Sequence, residues 1–196
     1  MEELIQQTLA AVDREFQPNE LAYLALTSKI ENPLRDRWAF LLHKNTEASL
    51  TVAREWLRTD IALLEGTVPK ALIELKAMYT FDAALDQEKI TGFCDAMEKD
   101  EEKAFSLSNG KSDIFTVLLA THPGSAVPRT RERVIKYHQG INRAVERYGR
   151  SEDVASVAVE AVNRRLAKKN VITSGSFDGG YAFEINTQVL YWLVKA

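Results

Sequence analysis

The stretch that most constrains this chain is Thr59–Ala77, TDIALLEGTVPKALIELKA. Two apolar runs flank a short segment holding Gly66 and Pro69, which is the signature of a β-hairpin. A turn centred between Thr67 and Val68 sets Asp60 opposite Leu75, within a residue of Glu74 and Lys76. Successive strand side chains alternate faces, so Glu74 and Lys76 point one way and Ile73, Leu75 and Ala77 the other. Two carboxylates and an ammonium thus gather at one end of an apolar sheet. Burying them there is costly unless they bind something.

Two hard oxygen donors at one point suit Mg²⁺ or Mn²⁺, which take one or two protein carboxylates and fill the shell with water. A lysine beside such an ion orients water or offsets charge on a phosphoryl group. Asp60, a gap of thirteen residues, and then Glu74-Leu75-Lys76 resembles the motif of the PD-(D/E)xK nuclease superfamily. The usual proline before the aspartate is absent; Thr59 stands there. The resemblance implies a restriction-endonuclease-like α-β-β-β-α-β core and Mg²⁺- or Mn²⁺-dependent hydrolysis of DNA or RNA. It also implies Asp60 and Glu74 as metal ligands and Lys76 as a catalytic group. A glutamate from the first core helix often joins such a site, and Glu31 is the residue placed for that role, with Glu20 behind it. The plainer alternative is a surface hairpin carrying a solvated ion pair. Between these stands a catalytically inactive nuclease-like module that binds nucleic acid or protein.

The order of elements agrees with an α/β (α+β) fold, a mixed sheet of about four to six strands flanked by helices. Ile5, Leu9, Val12 and Phe16 recur at helical spacing in residues 2–16; Leu21 and Leu24 begin a second helix. Asn32-Pro33 reads as the cap and first turn of a third, with Leu34, Trp38, Leu41 and Leu42 on its face. Residues 49–57 form a strand leading into the hairpin. A long helix is predicted over about 82–105, striped by Ile90, Phe93, Cys94 and Met97, with its charged run 98–103 as a solvated face and end. Gln87 and Lys89 near its start stand where a polar residue sometimes supports such a site. Asp113–Thr121 is the strongest buried strand, followed by His122 in a loop. Val134, His138, Ile141, Val145 and Tyr148 stripe a further helix, making His138 a core histidine, and Val154–Val162 another. Short strands at 171–174, 181–185 and 189–194, the last open to a helical reading, surround a glycine-rich loop at 175–180. One domain over 1–196 is expected, with its core at about 30–121, N-terminal helices at 2–30 and additions at 129–196.

At 196 residues and a formal net charge of −3 the chain has the size of one packed domain and no general affinity for polyanions. Charge is nevertheless segregated. Arg129, Arg131, Arg133, Lys136, Arg143, Arg147 and Arg150 face only Glu132 and Glu146 in their segment, so nucleic-acid phosphates are a natural target. Aromatic residues are not interleaved with them, which argues against base stacking. The bland reading is the wet face of amphipathic helices. Cys94 alone permits no internal disulfide; three histidines and one cysteine leave little for zinc or Cys/His catalysis. No Gly-rich phosphate loop, nucleophile elbow, signal peptide or bilayer-spanning run is present, so a cytoplasmic protein is expected. Cutting both strands of a duplex requires two sites and hence a homodimer, for which Tyr191, Trp192 and Leu193 offer an apolar surface or belong to the core.

Overall fold

The computed structural model describes residues 1–196 apart from the side chain of Gln87, so that residue's supporting role lies outside the described residues. The chain forms an α/β fold in the order α1 (Glu2–Ala10), α2 (Glu20–Thr27), α3 (Glu31–Asn45), β1 (Leu50–Trp56), β2 (Thr59–Glu65), β3 (Val68–Tyr79), α4 (Thr80–Leu85), α5 (Gln87–Ser108), β4 (Asp113–Pro123), α6 (His138–Tyr148), α7 (Ser151–Leu166), β5 (Asn170–Ala182) and β6 (Ile185–Lys195). The strands make one mixed sheet ordered β1-β2-β3-β4-β6-β5. β3 and β4 run parallel, joined across α4 and α5, and the remaining neighbours are antiparallel.

Alternation along the strands divides the core in two. Ile61, Ile73, Leu75, Phe115, Val117 and Leu119 pack against α1, α2 and α3 around the fully buried Trp38. The other face meets α4, α6 and α7 through Met78, Leu118, Ala120 and Trp192, and meets α5 at Ala104 through Ala62, Leu72 and Ile114. With helices on both faces, β4 has no wet side; hence the buried run at 114–120, apolar but for Thr116.

Several sequence expectations are corrected. The hairpin turn centres one residue earlier, between Gly66 and Thr67, because Glu65 pairs with Val68; a bulge between Leu63 and Leu64 then brings Ile61 opposite Ile73. Continuing that register faces Asp60 to Glu74 rather than Leu75. The long helix is two, because Asp86 leaves the helical conformation and its side chain accepts hydrogen bonds from the Glu88 and Lys89 N–H groups as an N-cap. Residues 129–137 are largely irregular and α6 begins only at His138, after Tyr137 takes a left-handed conformation at φ 61°. His138 is therefore half-buried at a helix start rather than in the core, and Val134 is exposed. His122 is not a loop residue; it is buried near the end of β4 with Nδ1 3.1 Å from Thr80 Oγ1. The glycine-rich stretch lies inside β5. Gly175 permits the close approach of Tyr191, whose Oη would stand 2.7 Å from any Cβ there. Tyr191, Trp192 and Leu193 are core residues of a strand.

Candidate active site

The site is built on a length of β3 that has lost its strand partner. Its ladder to β2 ends at Ile61 opposite Ile73, whereas its parallel pairing with β4 continues to Tyr79. Beyond Ile73 the N–H groups on the β2 side need other acceptors, because orphaned strand donors are unstable when shielded from water. Three carboxylates supply them. Asp60 Oδ2 accepts from Leu75 N at 2.8 Å, Glu31 Oε2 from Ala77 N at 3.1 Å and Asp82 Oδ2 from Tyr79 N at 3.0 Å. Charged acceptors make these the stronger kind of hydrogen bond. Glu31 reaches β3 because α3 starts at Glu31 itself, with Ile30 as the cap residue instead of Asn32. The acid then sits at the positive end of the helix dipole.

Glu74 and Lys76 project from the opposite face to Leu75, toward α5. Glu74 Oε1 accepts from Lys103 Nζ at 3.2 Å, and the same ammonium donates to the Arg58 carbonyl in the β1–β2 turn. Lys76 Nζ pairs with Asp100 Oδ2 at 2.5 Å. Asp100 and Lys103 are one helical turn apart, between the buried Met97 and Ala104, so α5 turns this part of its charged run inward. Glu101, in the same run, accepts from Thr116 Oγ1 at 3.2 Å and pairs with Lys169 at 2.9 Å. The expectation of a solvated face is corrected accordingly. On α3, one turn after Glu31, the buried Arg35 binds Glu55 at 2.7 Å and Asp36 at 2.9 Å, and stands 3.8 Å from Asp60 Oδ1.

Electrostatics ties the four predicted residues together. Burial, and then the field of Asp60, raises the Glu74 carboxyl from its ordinary value to about 7, against the pull of Lys103. Burial also raises Glu31, which feels the attraction of Lys76 and the repulsion of Asp60. For Lys76 burial opposes the charge, but the pair with Asp100 and the fields of Glu31 and Glu74 outweigh it and lift the pKa. Lys76 is thus a fixed cation and a poor proton acceptor. Crowded, half-desolvated carboxylates around one cation are the setting in which perturbed acids accompany function.

The donor chemistry fits a small hard cation, because a carboxyl whose proton affinity is raised by burial and by a neighbouring carboxylate, as Glu74 is by Asp60, gains from a divalent ion between the two. Among the described residues no three His, Cys, Asp or Glu side chains converge as ligands of one ion. An all-protein cage is therefore absent, while a two-carboxylate arrangement completed by water and phosphate oxygens is the habit of Mg²⁺.

The basic segment meets this region at Lys136 and Tyr137. Tyr137 lines the same cavity as Lys76, and Lys136 Nζ lies 5.1 Å from the centre of the Tyr137 ring. Arg129, Arg133, Arg143 and Arg147 are exposed, and Arg131 is held by Glu184 at 3.0 Å. Glu20 pairs with Arg37 instead of approaching the strand. His122 is six residues beyond the Thr116 rung that faces Glu74, about 20 Å along the strand, and burial lowers its pKa. Sequence reasoning missed Arg35, Asp100 and Lys103. The available signal was the helical spacing of 97, 100 and 104, which sets one acid on the same face as Met97 and Ala104.

Searches against family models, curated proteins and solved structures find no match to this chain. No helix among the described residues is long and apolar enough to cross a membrane.

Proposed function

We propose that the protein is a Mg²⁺-dependent phosphodiesterase of nucleic acids, an endonuclease working through Asp60, Glu74, Lys76 and Glu31. The observation that carries this reading is the joining of Asp60 and Glu31 to the backbone on either side of Lys76, with Glu74 under the field of Asp60. The PD-(D/E)xK resemblance of the motif supports the same reading, on the element order α3-β1-β2-β3-α4-α5-β4. Asp60 and Glu74 would hold Mg²⁺ or Mn²⁺, with Glu31 completing the anionic wall. The ion's contribution is to lower the pKa of a water and to offset phosphate charge.

The remaining work belongs to the chain. Backbone N–H groups fix one oxygen each of Asp60 and Glu31, leaving the second oxygen directed without conformational search. Arg35, 3.8 Å from Asp60 Oδ1, offsets excess negative charge at that oxygen, and Asp100 pairs with the Lys76 ammonium. Lys76, charged at any physiological pH, stabilises the negative charge that grows on the phosphoryl oxygens. The exposed arginines of the 129–147 segment supply the sequence-independent attraction for DNA or RNA. A cytoplasmic setting is consistent with the lone Cys94, buried and reduced.

One observation favours the second reading, a catalytically silent module that binds nucleic acid or a protein. Glu74 and Lys76 are each paired with a residue of α5, so both have a partner within the chain without an ion. Calorimetric titration with Mg²⁺ and Mn²⁺ separates the two. The enzyme reading expects metal uptake by the parent that is abolished in Asp60→Asn and in Glu74→Gln. Absence of uptake by the parent, or equal uptake by the variants, leaves only the silent module.

A further inference from the structure

A cavity of about 580 Å³ opens beside the carboxylate site, between the free edge of β3, α4, α5 and Tyr137, with Lys76 on its boundary. That volume is in the range of sites for small organic ligands. Its lining is of two kinds. Tyr79, Phe81 and Tyr137 make a three-ring wall, with centroids 5.3 Å apart for Tyr79–Phe81, 5.3 Å for Tyr79–Tyr137 and 6.4 Å for Phe81–Tyr137. Phe93 on α5 contributes a separate, half-buried ring. Ammonium groups lie over these faces, Lys29 at 5.8 Å from Phe93 and Lys89 at 5.8 Å from Phe81. Lys29, Lys76 and Lys89 border the cavity, Lys89 paired at 3.1 Å with Asp82, its one acidic lining residue, and Lys76 at 2.5 Å with Asp100.

The wall is held open by specific backbone choices. Tyr137 keeps a left-handed φ of 61°, unusual for an aromatic residue, and the Lys136 N–H beside it is tied to the Leu26 carbonyl at 2.8 Å. Gly140 lets Phe81 lie flat, since a Cβ there would stand 2.5 Å from Phe81 Cε2. Tyr79 and Phe81 are buried and back the wall, while Tyr137 is exposed and Phe93 half-buried; accessible rings beside cations match one chemistry well, a planar heterocycle carrying phosphate. The rings take the base and the ammonium groups the backbone charge.

We propose that this cavity receives the unstacked base of a nucleotide next to the scissile phosphate, so that the substrate is single-stranded or locally unpaired nucleic acid. This rests on the reading of the neighbouring site as one that handles phosphodiesters. A base within a duplex is stacked on both faces and cannot enter a cavity of this kind without being turned out. Rings and cations that are not interleaved along the chain are brought together here from three separate segments, at Lys29, at residues 76–96 and at Tyr137.

The test is fluorescence anisotropy in EDTA, where hydrolysis is absent, with labelled oligothymidylate, oligouridylate and a duplex of equal length. The parent should bind the single strands more tightly than the duplex. Phe93→Leu and Tyr137→Leu, which keep apolar bulk but lose the ring, should weaken single-strand binding by about 5- to 100-fold and leave duplex binding unchanged. An abasic strand should show the same loss on the parent and none further on Phe93→Leu, a comparison that needs no variant to fold unusually well. The thymidylate and uridylate arms report whether the sugar matters. Equal binding of normal and abasic strands, preference for the duplex, or no binding at all overturns the inference. Mg²⁺-dependent hydrolysis is scored separately: a parent that cleaves but ignores the base refutes the cavity alone, and one that binds as expected but never cleaves refutes the hydrolytic reading alone.

Discussion

Replacing Glu74 by Gln probes the site without any substrate. The carboxyl is buried at 5% relative exposure, and burial followed by the charge of Asp60 raises its pKa to about 7 from an ordinary 4.5. The folded protein therefore holds this proton more tightly than the unfolded chain does. The stabilising contribution is fully present below about pH 4.5 and is lost as pH rises through about 7; the gap is worth about 3 kcal/mol. Gln keeps the shape and an oxygen for Lys103 but cannot ionise. At about pH 8 the variant should be more stable than the parent by about 1–3 kcal/mol, the lower figure allowing for the weakened Lys103 contact. At about pH 4 the two should be nearly equal. Urea unfolding across that range reads this as a midpoint difference that opens with pH, about 0.5–1.5 M at the alkaline end for a slope of about 2 kcal/mol/M. Parallel curves at every pH, or a variant less stable at about pH 8, would refute the argument that Glu74 is held against its charge.

Other expectations follow from the same contacts. Asp60→Asn retains an oxygen for the Leu75 N–H and should cost under about 1 kcal/mol, whereas Asp60→Ala leaves that donor orphaned and should cost about 1–3 kcal/mol by thermal or urea unfolding. Metal affinity in the parent should fall about tenfold for each pH unit below about 7, as Glu74 must release its proton; calorimetry in buffers of different ionisation enthalpy measures the released proton. A flat pH profile there would separate Glu74 from the ion. Gly140→Ala should destabilise by about 1–3 kcal/mol because Phe81 has to move, and its melting temperature should drop accordingly.

The backbone of this account was readable where periodicity was strong. The hairpin at 59–77, the buried strand at 113–121 and the apolar faces of α2 and α3 appear in the fold much as their patterns imply, whereas the first helix ends at Ala10 and leaves Val12 and Phe16 to a short 3-10 turn and its end. What escaped the sequence depended on single residues overriding a pattern. Asp86 breaks a helix whose stripe runs on past it, and Tyr137 delays α6 with a backbone conformation that no periodicity encodes. The glycines at 175–180 read as a loop because glycine is a turn signal, yet Gly175 answers to the bulk of Tyr191 on the paired strand. The site was half legible for a related reason. Asp60, Glu74 and Lys76 are close in sequence across one turn, so local geometry gathers them. Arg35, Asp100 and Lys103 arrive through tertiary packing, and the charges of α5 look the same on paper whether they face water or the sheet.

Hydrolysis at the Asp60–Glu74–Lys76 cluster is read from turnover of end-labelled single-stranded, duplex, branched and RNA substrates with Mg²⁺ or Mn²⁺. Cleavage should require the metal and stop on chelation. Lys76→Ala should slow it by about 10²–10³, the loss typical of one preorganised electrostatic contact, while calorimetry still records metal uptake. A parent that cleaves none of these strands with either ion, or a Lys76→Ala variant that cleaves as fast as the parent, contradicts the account.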